Sequence, residues 1–125
     1  MAHCESNQVL IVGGVGKGAG RKAVTLNIDE AANPDVIGVA QRLPFGPGSF
    51  NHVNIERLPY TQLTTRTFSE AFNVLSSGGR VSGITGSGAN INAIVNALKG
   101  GGFVNVRISY GIGRNAGIEF SGIKP

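Results

Sequence analysis

Glycine constrains this chain more than any other residue: twenty of its 125 positions carry it, gathered at residues 13–20, 46–48, 78–88 and 100–102. A residue without Cβ marks where a backbone turns tightly or lets another group come close. The clusters follow no fixed period, which excludes collagen-like and repeat architectures. Between them lie short apolar runs at 9–12, 24–28, 36–40, 52–55, 81–85, 104–109 and 117–123. Runs this brief, bounded by turn residues, predict strands. The first is continuously apolar, as in a strand buried on both faces. The last two, joined through residues 111–116, predict a closing antiparallel pair.

Two segments carry helical periodicity. Phe68, Ala71, Phe72 and Leu75 fall on one stripe, with Thr67 as N-cap, Glu70 completing a capping box, and Gly78 and Gly79 as the stop. Ile91, Ile94, Val95 and Leu98 repeat the stripe, with Asn90 as cap and the glycines from Gly100 as the end. Each helix precedes a strand, as a crossover between parallel strands requires. The first half of the chain has no comparable segments. About a dozen glycine-rich residues separate the first two strands, and residues 30–35 are too few for a crossover helix. The expected fold is therefore an α/β, mostly parallel sheet with an antiparallel C-terminal hairpin and its first helices shortened or missing.

The chain is long enough for one core, and its 41% hydrophobic content is sufficient to build it. The expected organisation is a flexible N-terminus at 1–8 followed by one domain over 9–125. No run approaches the roughly 20 apolar residues of a membrane span, so no membrane partner is expected. Residues 1–8 lack the basic and apolar regions of a secretion signal; export would need another carrier. Cys4 is the only cysteine, which excludes an internal disulfide and a paired-cysteine zinc cluster. No metal-ligand constellation and no Ser-His-Asp pattern is visible, so no metal is expected. The net charge of +4 is spread without a block, which suits polyanionic partners or ordinary solubility.

Particular residues sharpen the fold. Residues 9–16, VLIVGGVG, followed by a second strand running to Asp29, resemble the first motif and ribose-binding acid of class I S-adenosylmethionine (SAM)-dependent methyltransferases. Residues 38–50, GVAQRLPFGPGSF, resemble the loop-and-strand segment of quinone-type members. Residues 72–81, FNVLSSGGRV, are similar to their turn before strand five, and 97–106, ALKGGGFVNV, to the start of their last hairpin. The resemblance implies that Gly13, Gly14, Gly16 and Asp29 hold SAM if the chain is a methyltransferase. Two positions depart from it. Val39 stands where the family usually has the Asp that binds the adenine amine, and Asn51 replaces the Asp that begins strand four.

In an open α/β sheet, ligands gather beyond the carboxyl ends of the strands, an edge that should bring together residues 13–17, Asp29, 39–42, 54–60 and 85–87. Lys17, Arg21 and Lys22, in a glycine loop, and Arg42 are candidates for RNA or phosphate binding there. After strand four, Glu56 is a candidate general base, Arg57 a phosphate or anion clamp, and Tyr60 a stacking group or acid. His52 is a further acid-base candidate, although its place near the start of that strand, the wrong end of the sheet, favours a structural role. Small, basic, glycine-rich domains of this kind also resemble the C-terminal toxin tips of bacterial contact-dependent growth inhibition and polymorphic toxin systems. That resemblance implies an antibacterial effector cleaving tRNA as a metal-free ribonuclease with no required cofactor. It would be delivered within a larger secreted protein, act in the target-cell cytoplasm and be held by a cognate, acidic immunity protein. The alternatives are a small SAM-dependent methyltransferase and a non-catalytic binding domain.

Overall fold

The computed structural model describes residues 8–18, 23–56, 58–86, 88–110 and 117–125. Most of the expected flexible start, together with Arg21, Lys22, Arg57 and the turn at 111–116, lies outside the described residues, as does the side chain of Tyr60. The described strands are β1 (Val9–Val12), β2 (Ala23–Asn27), β3 (Val36–Ile37), β4 (Phe50–Ile55), β5 (Leu75–Gly86), β6 (Val104–Tyr110) and β7 (Gly117–Ile123). They form one sheet in the order β3-β2-β1-β4-β5-β7-β6. Neighbours from β3 through β5 run parallel, whereas β7 is antiparallel to both β5 and β6. Helix α1 (Thr65–Val74) connects β4 to β5, and α2 (Ile91–Gly100) connects β5 to β6. Between β2 and β3 there is only a 3-10 turn, Glu30–Ala32. The expected reduced α/β sheet with shortened early helices is the fold observed.

Local details differ from the sequence reading for identifiable reasons. The cap of α1 is Thr64, whose hydroxyl accepts the Thr67 amide at 3.3 Å. Thr67 itself is buried one turn inside and donates its hydroxyl to the Gln62 carbonyl at 2.7 Å. The Glu70 carboxylate, expected to close a capping box, instead accepts the Leu43 amide at 2.7 Å and ties down the loop before β4. The helix ends at Val74 without needing the glycines, because Leu75 turns directly into β5. Gly78, at φ +82°, then takes part in a bulge that shifts the β4–β5 register between the Phe50–Leu75 and His52–Arg80 pairs. Lys124 closes the end of α1 by donating to the Phe72 and Leu75 carbonyls at 2.8 and 2.7 Å. The third strand is shorter than expected, since the chain folds back at Val39 to meet Arg42 in an isolated bridge.

Side-chain alternation gives the sheet two unlike faces. Leu10, Val12, Val53, Ile55, Val81, Ile118 and Phe120 point to one side and join Phe68, Ala71, Ile94 and Leu98 of the helices in one buried cluster. Phe68 is fully buried, with edge-on contacts to Phe120 and Phe103 at 5.6 and 6.4 Å between centroids. Gly83 is required on this face, because a Cβ there would lie 2.5 Å from the Phe120 ring. The residues between these point the other way: Ile11, Thr25, His52, Asn54, Arg80, Ser82, Ile84, Glu119 and Ser121. Among the described residues no helix packs on that side.

Candidate functional site

The order of the sheet places β1 between β2 and β4, so the connections from β1 and β4 leave toward opposite neighbours. A crevice at the carboxyl ends of these strands is the consequence. It is a cavity of about 360 Å³, lined by Val12 and Gly13 of the β1 end, Leu26, Asn27 and Ile28 of the β2 end, and Gly38 to Gln41, Leu58, Pro59 and Gln62 from the following loops. Gly13 makes the turn out of β1 at φ +83°, where a side chain would be strained, and its amide donates to the Leu26 carbonyl at 2.7 Å. The walls are aliphatic, with three amide side chains at their margins. That composition suits a flat heterocycle with hydrogen-bonding edges.

The expected cofactor residues do not all meet there. Gly13 lines the cavity. Gly14 lies over the other side of the sheet, where a Cβ would fall 2.9 Å from Ile11, and its carbonyl accepts the Asn27 amide side chain at 3.1 Å. Gly16, at φ +79°, donates to the Ala32 carbonyl at 2.7 Å and accepts the Thr25 hydroxyl at 2.6 Å. Asp29 is exposed, caps the Glu30–Ala32 turn through the Ala31 amide at 2.9 Å, and is not among the lining residues. Of the lining residues, Val39, Gln41, Leu58 and Pro59 fall within the segments expected at this edge, whereas Asn27 and Gln62 were missed. Their only sequence signal was nearness to strand ends.

The glycine loop is anchored where a phosphate would have needed it free. Asp35, also missed in sequence, accepts the Gly18 and Thr25 amides at 2.9 and 3.0 Å, while its own amide donates to the buried Thr25 hydroxyl at 2.9 Å. The amides of Thr25 and Gly18 hold the Asp35 carboxyl below the usual carboxylate range, with smaller help from the Thr25 hydroxyl and Lys17. Lys17 spends its ammonium on the Pro34 carbonyl at 2.7 Å. Arg42 is exposed on the loop after β3 and does not line the cavity.

His52, Asn54 and Glu56 follow one another at two-residue intervals on the uncovered face. His52 is the third residue of β4, farther along the strand than its expected place at the start. Its Nε2 lies 2.7 Å from the Ser82 hydroxyl; Ser82 reaches Asn54 Oδ1 at 3.5 Å, and the Asn54 amide donates to Glu56 at 3.1 Å. Partial burial, and secondarily the charge of Arg80, lowers the His52 pKa. Asn54, Glu56 and Ser82 line a second, wider trough of about 1050 Å³ together with residues of β5, β6 and β7. The period-two alternation of polar residues in these strands was the available signal for this face. Tyr60 sits in a 3-10 turn, Tyr60–Gln62, beside the first cavity.

No protein-family model matches the chain, and no curated protein matches it. Solved structures do. Phosphoethanolamine N-methyltransferase 2 of Haemonchus contortus, in complex with phosphomonomethylethanolamine and S-adenosylhomocysteine, superposes with a TM-score of 0.72 at 14% identity, over 99% of this chain and 50% of that one. Geranyl diphosphate C-methyltransferase of Streptomyces coelicolor gives 0.75 at 14% identity, over 95% and 73%. A SAM-dependent methyltransferase of Methanosarcina mazei gives 0.73 at 12% identity, over 98% and 94%. The chain thus spans about half the length of the Haemonchus enzyme and nearly all of the Methanosarcina protein.

These neighbours overturn the expectation of a tRNA-cleaving toxin: the fold they share with this chain is that of SAM-dependent methyltransferases. Among the described residues no helix follows the glycine loop to help wall a ligand. The cavity nevertheless persists, because the loops after β3 and β4 enclose it with Val39, Gln41, Leu58 and Pro59. In architecture, the chain is a reduced form of the class I SAM-dependent methyltransferase fold.

Proposed function

We propose that this chain is a small SAM-dependent methyltransferase domain that takes the adenosyl group of SAM into the cavity at the ends of β1, β2 and β4. The observation that carries the reading is the cavity itself, which lies at the switch point of the sheet and is lined by Gly13 on one side and Val39 to Gln41 on the other. The Haemonchus and Streptomyces structures of the same fold hold S-adenosylhomocysteine, which supports the assignment. Leu26, Val39, Leu58 and Pro59 would sandwich the adenine, and Asn27, Gln41 and Gln62 would supply hydrogen bonds at its edge or to the ribose. Val39, standing where an acid is expected, leaves selection of adenine to shape and amide contacts. Asp29 follows Ile28 of the lining and caps its turn through Oδ1, which leaves Oδ2 as the oxygen that would accept a ribose hydroxyl. SAM, when bound, supplies an electrophilic methyl group; the chain's task is to bury the nucleoside and orient it.

Calorimetric titration of the purified chain with S-adenosylhomocysteine tests this directly. Saturable one-to-one binding, displaced by SAM and weakened at least about tenfold by Val39→Trp, which fills the cavity, is the expected result. A folded wild-type chain that binds neither compound would refute the proposal. Transfer of labelled methyl from SAM to a fraction of cell extract would then distinguish an enzyme from a domain that only binds.

A further inference from the structure

The wide trough on the uncovered face lies apart from the nucleoside cavity and has its own chemistry. Strand register arranges its side chains in rows. The middle row runs Asn54, Ser82, Ser121, Arg107 across β4, β5, β7 and β6. Two residues toward one end lies Arg80; two residues toward the other lie Ile84 and Glu119, with Glu56 just past the end of β4. Cations therefore occupy one end and the middle of the trough, carboxylates the opposite end, and hydroxyls and an amide the floor between them. Ile84, 43% exposed, offers the acidic end its apolar surface.

We propose that this trough is a binding site for a short zwitterion, with its cationic group between Glu56 and Glu119 and its anionic group at Arg80 and Arg107. Neighbouring rows are separated by about 7 Å of strand, and the diagonal step between strands brings Arg107 and Glu119 about 8 Å apart at the backbone. Arg80 lies two rows from the acidic end, so the centres of the two charge pairs are about 11 Å apart at the backbone, the reach of an extended tripeptide. The carboxylate end is partly organised beforehand, because Asn54 holds Glu56 and is itself linked through Ser82 to His52. Size favours a small molecule over a protein. Four strands by three rows cover about 400 Å², about half of the roughly 800 Å² per partner of a stable protein interface. The inference stands whether or not the nucleoside cavity takes SAM.

Triglycine is the probe, titrated into the full chain and followed by amide chemical shifts, beside its N-acetylated and C-amidated forms. The expected result is saturable binding with shifts in β5, β6 and β7, and about tenfold weaker binding of either blocked form. Glu119→Gln should abolish discrimination against the acetylated peptide, and Arg107→Gln discrimination against the amidated one. Both side chains sit on a solvent-facing strand surface, where such changes leave folding nearly untouched. Saturating S-adenosylhomocysteine should leave triglycine binding intact, so failure of the SAM proposal is read separately. No saturable binding by about 30 mM, or equal binding of all three peptides, overturns the proposal. A response confined to one sign of charge, or one unchanged in both variants, also overturns it.

Discussion

The two faces of this sheet are built by opposite rules from the same seven strands. On the helix side, alternate residues are apolar and meet α1 and α2 in one cluster. On the other, the same strands carry His52, Asn54, Arg80, Ser82, Glu119 and Ser121, which suit water. Parallel sheets are ordinarily covered on both faces. Here the alternation seen in one-sided antiparallel sheets extends into the parallel pair β4–β5, which lets that part stand without helices. At β1 and β2 the solution differs: Ile11 and Thr25 are buried, at 4% and 0% exposure, and the Gly13 loop closes over them. Loss of a helix can thus be met by making a face polar or by laying a glycine loop across it, and this chain does both.

The contrast is broken most severely from the covered side. Phe68→Ala removes a fully buried ring at the junction of α1, Phe103 and Phe120. It should cost about 3–5 kcal/mol of unfolding free energy, read by urea denaturation. Ser82→Ala, at the centre of the opposite face, should cost no more than about 1 kcal/mol, because water can replace its contacts. Equal losses would mean that the uncovered face is itself part of the stabilising core.

Thr25 tests the second solution. Its buried hydroxyl donates to the Gly16 carbonyl and accepts the Asp35 amide, in two part-buried bonds. Thr25→Val keeps the shape but leaves both partners unsatisfied, so a loss of about 1–3 kcal/mol is expected. Hydrogen exchange should quicken at the Gly16 and Gly18 amides while those of β5 keep their rates. Unchanged exchange in the loop would show that glycine packing, and not the Thr25–Asp35 tether, holds it down.

Much of this architecture was legible in the sequence because local patterns and tertiary needs agreed. β1 and β7 lie at their expected positions, and Asn90 caps α2 by accepting the Ala93 amide. The misreadings fall where a side chain had a distant partner. Glu70 read as a capping residue because nothing local revealed Leu43, twenty-seven positions away. Gly78 and Gly79 read as a helix stop, when they answer a bulge against β4. Only Gly13 of the glycine motif reached the candidate cavity, since Gly14 packs over Ile11 and Thr25 and Gly16 supplies a positive φ in the loop. The methyltransferase pattern was visible, but the cavity's survival was not. Gln41 and Leu58 of its wall follow from the strand order, but Gln62, on the turn before α1, is placed there by no periodicity.

The smallest expected effect concerns His52, the titratable group within the polar face. Burial and Arg80 hold its pKa below the ordinary 6.5, so the folded chain resists a proton that the unfolded chain accepts. Well above pH 6.5 the ring is neutral in both states and contributes no pH dependence. As pH falls through 6.5 the unfolded state gains protons first, and stability declines until the folded ring also titrates, below which the loss levels off. The half-exposed position limits the change to roughly a few tenths of a kcal/mol after solvent screening. Asp35, shifted in the same direction, acts in a separate window below the usual carboxylate range, where its protonation weakens the loop tether. Urea denaturation at steps from about pH 7.5 to pH 5 should show the shallow decline in the wild type. His52→Asn should flatten it. A decline that survives this substitution would assign the slope to another group and leave the polar face electrostatically silent near neutral pH.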